Sequence, residues 1–163
     1  DNGPCELRIS KCDCNSLQDI AYKKFDMPPN ASLRMIKLPD VDIDFSREFL
    51  LAEIFKEGVV TARNTYFGVV PKEFKWPEKQ DFSIAHEKLQ GNLFKVSICS
   101  KTLLKDLYLN IDFADPDAVF SDNFIDVVPG CSAQIKVRTS KQLSLDEFRN
   151  AFSLMHVGAI SMK

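Results

Sequence analysis

Apolar residues in this chain recur with a period of two, and that period fixes the class of fold. Phe94, Val96 and Ile98 alternate with Lys95 and Ser97; Leu107, Leu109, Ile111 and Phe113 alternate with Tyr108, Asn110 and Asp112; Ile135 and Val137 alternate with Lys136 and Arg138. Successive side chains of a strand point to opposite faces, so each run offers one face to a core and one to water. Leu33, Met35 and Lys37 against Arg34, Ile36 and Leu38 predict a further strand. Phe49, Leu51 and Phe55 against Leu50, Ala52 and Ile54 make a segment apolar on both faces, which predicts a central strand. Glu57-Gly58 breaks that run and Val59-Val60-Thr61-Ala62 resumes it, the pattern of a hairpin.

One segment interrupts the series. Pro71 to Lys79 holds two prolines and five charged residues in nine positions, a boundary rather than a strand. Short strands without interleaved helices on both sides of it predict an all-β chain of two antiparallel sandwiches, residues 1–74 and 75–163. Only the C-terminus departs from the period of two. Ser144 and Glu147 have capping-box spacing, and Leu145, Phe148, Phe152 and Met155 recur at helical spacing, so a short amphipathic helix is expected there.

The run Phe120-Ser121-Asp122-Asn123-Phe124-Ile125-Asp126-Val127-Val128-Pro129-Gly130 reads as a polar corner between two short strands, closed by a type II turn. Ser, Asp and Asn can bond the backbone themselves and hold a reversal that would otherwise leave peptide groups unpaired. The chain's 163 residues cannot hold a (β/α)8 barrel, which needs about 250. A net charge of −2 provides no basic field for nucleic acid. No apolar stretch approaches the roughly 20 residues of a membrane span, so no membrane insertion is expected. The polar start, Asp1-Asn2-Gly3-Pro4, has no signal-peptide character, as an excised fragment would also show.

The 120–130 run resembles the "FSDN-(Y/F)-FDLLPG" signature in the last immunoglobulin-like domain of family 2 β-mannosidases. Asn64, Tyr66-Phe67 and Pro71-Lys72-Glu73 resemble the hinge between the two C-terminal sandwiches of that family. Leu107-Tyr108-Leu109-Asn110 is similar to the strand before the corner, and Leu143-Ser144-Leu145-Asp146-Glu147-Phe148 to the tail; Met155 to Ser161 departs from the family's ending. The resemblance implies two immunoglobulin-like sandwiches in tandem, the first being the parent's penultimate domain, with its first strand missing or replaced by Leu7 to Ile9. It also implies a non-catalytic accessory region supporting the catalytic barrel of a retaining exo-glycosidase that hydrolyses terminal β-D-mannose residues without a cofactor. Related sandwiches occur in β-galactosidases, β-glucuronidases and exo-β-glucosaminidases. The implied partners are the barrel itself, with glycan contact and dimerisation left open. The implied compartment is the periplasm or the outside of a bacterium, or an animal lysosome.

Candidate chemistry is sparse. A retaining glycosidase sets two carboxylates about 5–5.5 Å apart; in the family they are barrel glutamates, and this chain has no Asn-Glu pair, so no catalytic residue is assigned. Asp112, Asp115, Asp117, Asp122 and Asp126 offer oxygens for a calcium ion, but their spacing fits no EF-hand and structural turns are preferred. Five cysteines, Cys5, Cys12, Cys14, Cys99 and Cys131, make no complete disulfide set. Cys12-x-Cys14 is too tight for a zinc knuckle, so no metal site is assigned and buried thiols are preferred. Trp76 and Tyr66 are the candidate contacts to carbohydrate or to a neighbouring domain. His86 and His156 stand without a partner nucleophile, and the competing reading of the whole is a carbohydrate-binding module.

Overall fold

The computed structural model describes residues 4–26, 32, 34–38 and 40–160. The chain is all-β apart from short helices, and it divides into two compact units, Asp1–Lys75 and Trp76–Lys163.

In the first unit, β1 (Pro4–Cys12), β2 (Leu17–Asp26), β3 (Phe49–Lys56) and β4 (Val59–Tyr66) form one antiparallel sheet in the order β2-β1-β3-β4. The doubly apolar run is an interior strand, as expected, with Phe49 and Leu51 fully buried. Glu57 and Gly58 both take positive φ (53° and 79°), so the β3–β4 reversal has the backbone twist that suits a tight hairpin. Phe49 stacks on Phe67 (centroids 4.9 Å apart), and Phe74 closes edge-on at 5.1 Å from Phe67. Gly68 is required where the chain passes the Phe45 ring. A Cβ there would lie 2.4 Å from Cγ of Phe45.

Residues 34–38 form no strand, contrary to the alternation; the Met35 carbonyl accepts from the Lys23 ammonium at 2.6 Å instead of from a neighbouring strand. Leu33, at the start of that run, lies outside the described residues.

The second unit is a two-sheet sandwich. One sheet runs β5 (Phe82–Lys88), β6 (Leu93–Ser100), β10 (Ser132–Arg138), β8 (Val119–Phe120); the other runs β11 (Ser153–Met155), β7 (Leu104–Asn110), β9 (Ile125–Val127). The inward residues named by the period of two meet between them: Phe94, Val96, Ile98, Leu107, Leu109, Ile111, Ile135 and Val137 are all buried. Phe113 is the exception at 96% exposed. β7 ends at Asn110, and a turn in which Ala114 and Asp115 donate to the Ile111 carbonyl takes Phe113 out of the alternation.

The capping box forms as its spacing predicts. Ser144 Oγ accepts from the Glu147 amide and the Glu147 carboxylate accepts from the Ser144 amide, opening α1 (Leu145–Ala151). Helical spacing overreaches beyond Ala151: Phe152 is the C-cap and Met155 lies on β11, 51% exposed, before α2 (Val157–Ile160). The helix contributes one fully buried side chain, Phe148, stacked on Phe94 at 4.3 Å and 9°. Phe148→Ala should therefore cost the second unit about 3–5 kcal/mol, and Ser144→Ala about 1 kcal/mol, in urea unfolding of the 163-residue chain.

Candidate functional site

The polar corner crosses from one sheet to the other. Leaving β8, Ser121 donates its amide to the Lys136 carbonyl (2.8 Å) and accepts the Lys136 amide on Oγ (3.0 Å). Ser121 thereby prolongs the pairing with β10 by one residue, its hydroxyl standing in for a carbonyl. Asp122 accepts the Asn123 amide at 2.9 Å. Asn123 then does for β7 what Ser121 does for β10: its Oδ1 accepts the Leu109 amide and its Nδ2 donates to the Leu109 carbonyl, both at 2.8 Å. A carboxamide carries the same donor and acceptor as a peptide unit, so Asn123 serves as a one-residue strand partner.

Phe124 follows at φ +56°, an unusual backbone for an aromatic residue, and the chain enters β9. Asp126 on β9 receives the Asp106 amide (3.0 Å) and the Lys105 ammonium (3.1 Å), holding a bulge in β7 where Asp106 itself has φ +49°. The closing turn has the expected geometry: Cys131 donates to the Val128 carbonyl across Pro129-Gly130, with Gly130 at φ +76°.

Turned outward by this path, Phe124 is 67% exposed and stacks on Tyr108 at 4.9 Å and 29°. With Asp106, Met155, His156 and Val157 they line a shallow groove of about 460 Å³. Sequence alternation gave no sign of this groove, because two of its rings owe their direction to a bulge and to a left-handed residue.

The other candidates are scattered. Tyr66 ends β4, exposed, with Phe45 edge-on at 5.8 Å; Trp76 is half-buried and opens the second unit, so the two belong to different units. The five aspartates do not converge. Asp112 and Asp117 are exposed, while Asp115 is fully buried and accepts from Ser140 Oγ (2.7 Å) and from the amides of Ser140, Lys141 and Asp117. Burial pulls the Asp115 carboxyl upward, but the four hydrogen bonds outweigh it and hold it below the usual carboxylate range.

Among the described residues no group of three or more His, Cys, Asp or Glu is placed to hold a metal ion. None of the five cysteines is in a disulfide. Cys5 and Cys12 share β1, and burial pushes Cys12 up to about 12 and Cys14 up to about 11, which leaves these two inert at neutral pH. Sequence reading also missed Glu53, 8% exposed, whose carboxylate takes Nε and Nη2 of Arg63 at 2.8 and 2.6 Å from directly across the β3–β4 ladder.

Residues 80–160 match the family of mannosidase Ig-fold domains (Ig_mannosidase), and the second unit belongs to that family. The match spans the same residues that carry the corner signature, so the resemblance to the immunoglobulin-like domains of β-mannosidases holds. A β-D-mannosidase from Dictyoglomus thermophilum superposes with a TM-score of 0.74 at 17% identity, over 94% of this chain and 18% of that one. An exo-chitosanase from Amycolatopsis orientalis gives 0.58 at 7% identity, over 96% of this chain and 23% of that one. The chain thus spans about a fifth of the length of these enzymes. The sequence matches no curated protein.

The corner should fail in a graded way. Asn123→Ala strips both partners from the buried Leu109 peptide and should cost about 2–3 kcal/mol, with Asn123→Asp, which keeps an acceptor, costing less in the same urea titration. Asp115, held low, stabilises fully above the ordinary carboxylate pKa of about 4, and that stability is lost as pH falls through its folded value. Asp115→Asn should therefore lower stability at pH 7 and flatten the acid limb of a stability-versus-pH curve.

Proposed function

We propose that this chain is a non-catalytic C-terminal accessory region of a multidomain glycoside hydrolase resembling β-mannosidase, and that it serves as structural support for the catalytic barrel. The observation that carries this reading is the family match over residues 80–160. The polar side chains of the signature, Ser121, Asn123 and Asp126, are bonded to neighbouring strands, as a supporting role requires. They maintain the sandwich and leave no reactive set.

In this reading the parent hydrolyses terminal β-D-mannose residues with retention, using carboxylates held on the barrel. The first unit is the penultimate domain. Tyr66 and Trp76, near the junction of the two units in sequence, are the residues assigned to contact with the barrel or with glycan. The barrel is the main partner, and self-association of the parent through these sandwiches is compatible with the role. A carbohydrate-binding module needs aromatic faces side by side; Tyr108 and Phe124 instead cover one another.

The test uses both the chain and its parent. The 163-residue chain should give no heat with mannose, mannobiose or soluble mannan and no turnover of a β-mannoside. Deleting residues 76–163 from the parent should lower its thermal midpoint and soluble yield. A parent that keeps its stability but loses mannan binding, or chain binding that Trp76→Ala abolishes, overturns the scaffold reading in favour of a binding module.

A further inference from the structure

Among the described residues, the buried side-chain nitrogens without a hydrogen-bonding partner in the protein are Nε2 of His86 and Nδ1 of His156. Both lie along one seam. His86, on β5, stands edge-on to Phe148 and Phe152 of the α1 turn, with centroids 5.8 and 4.6 Å away. His156, between β11 and α2, stands edge-on to Phe82 at the start of β5, at 6.3 Å. The strand and the C-terminal tail thus hold each other through three imidazole–phenyl contacts, with one imidazole from each side.

The surroundings of both rings disfavour a positive charge. Arg149 of α1 faces His86, and Val96, its register partner on β6, is apolar. Glu147 of α1 is occupied in the capping box and faces Lys88 at the end of β5, whose ammonium donates to the Leu143 carbonyl. The ion pair of Lys95 with Glu87 belongs to residues of β6 and β5 adjacent in sequence to Val96 and His86, and so to the opposite face of the sheet. Around His156 stand Phe82, Gln80 and Gly158; α2 has no charged residue in its first or last turn, and β7 contributes Asp106, on the groove that His156 lines. Burial sets both imidazoles below their ordinary pKa, with Arg149 adding to the effect at His86.

We propose that this seam is an acid-released latch, in which protonation of His86 and His156 frees the tail, residues 144–160, from β5. At pH 7.5 both rings are largely uncharged whether the tail is docked or free, and the seam holds. As pH falls below the ordinary imidazole pKa of about 6.5, the freed state takes up protons that the docked state refuses, so acid favours release. The effect saturates once pH is below the docked values. Uptake of two solvent protons makes the docking equilibrium fall by up to about 100-fold per pH unit within that window, and of one proton by about tenfold. No other reactant is needed.

Hydrogen–deuterium exchange on the 163-residue chain reads this directly. Between pH 7.5 and 5.5, after correction for intrinsic exchange, protection of tail amides should fall more than protection of β6 and β10, by up to about a hundredfold. His86→Phe and His156→Phe should each remove part of that difference, up to about tenfold. Equal loss in β6, β10 and the tail, or no loss in the tail, overturns the latch. Where a variant does not fold, NMR titration of the two imidazoles in the unaltered chain decides. Both titrating below the ordinary value supports it; either titrating at or above that value, with the phenyl rings holding the imidazolium, overturns it.

Discussion

Everything in the second unit depends on one carboxamide. A sandwich has to pass its chain from sheet to sheet, and each passage breaks two hydrogen-bond ladders at once. Asn123 repairs the β7 side of that break with two bonds of 2.8 Å to one residue, Leu109, while Ser121 repairs the β10 side through Lys136. Because Leu109 is 1% exposed, water cannot substitute for the missing partner. The corner therefore ties β10 of one sheet to β7 of the other, on either side of the core that holds Phe94, Leu107, Val127 and Val137.

A second layer of polar groups does similar work further out. Asp126 holds the β7 bulge, Asp115 gathers the loop at Ser140 and Lys141, and the Glu53–Arg63 fork closes the first unit's hairpin from above the sheet. In each case a carboxylate withdrawn from water accepts from donors that the fold holds in place. The corner that most identifies this chain thus belongs to its architecture. The corner's side chains are spent on holding strands together, which agrees with the supporting role proposed above.

Much of the fold was legible in the sequence because it depends on short-range rules. The interior position of β3, the Glu57-Gly58 reversal, the inward faces of β6 and β10 and the Ser144–Glu147 cap each follow from residues within one or two turns of each other. What escaped depends on partners distant in sequence. Residues 34–38 have a strand's alternation but a lysine for a neighbour; Phe113 and Met155 have a periodic position but sit past the end of their element. The Tyr108–Phe124 stack joins residues whose directions are set by positive-φ backbone, which no hydrophobic pattern records. The orphaned imidazoles were visible only as two isolated histidines, since nothing local announces that they share a seam.

The lengths of the outermost strands have a further consequence. In the sandwich, three of the four edges are β8, β9 and β11, of two, three and three residues, and the fourth, β5, lies against α1. The longer edges of the first unit carry charge instead: Asp19, Lys23, Lys24 and Asp26 on β2, and Arg63 on β4. An exposed strand is a template on which another chain can crystallise into sheet, and brevity, cover and charge are the ways to spoil it. Such a pair of units can be carried in tandem, close to many other folding strands, without seeding aggregates with them.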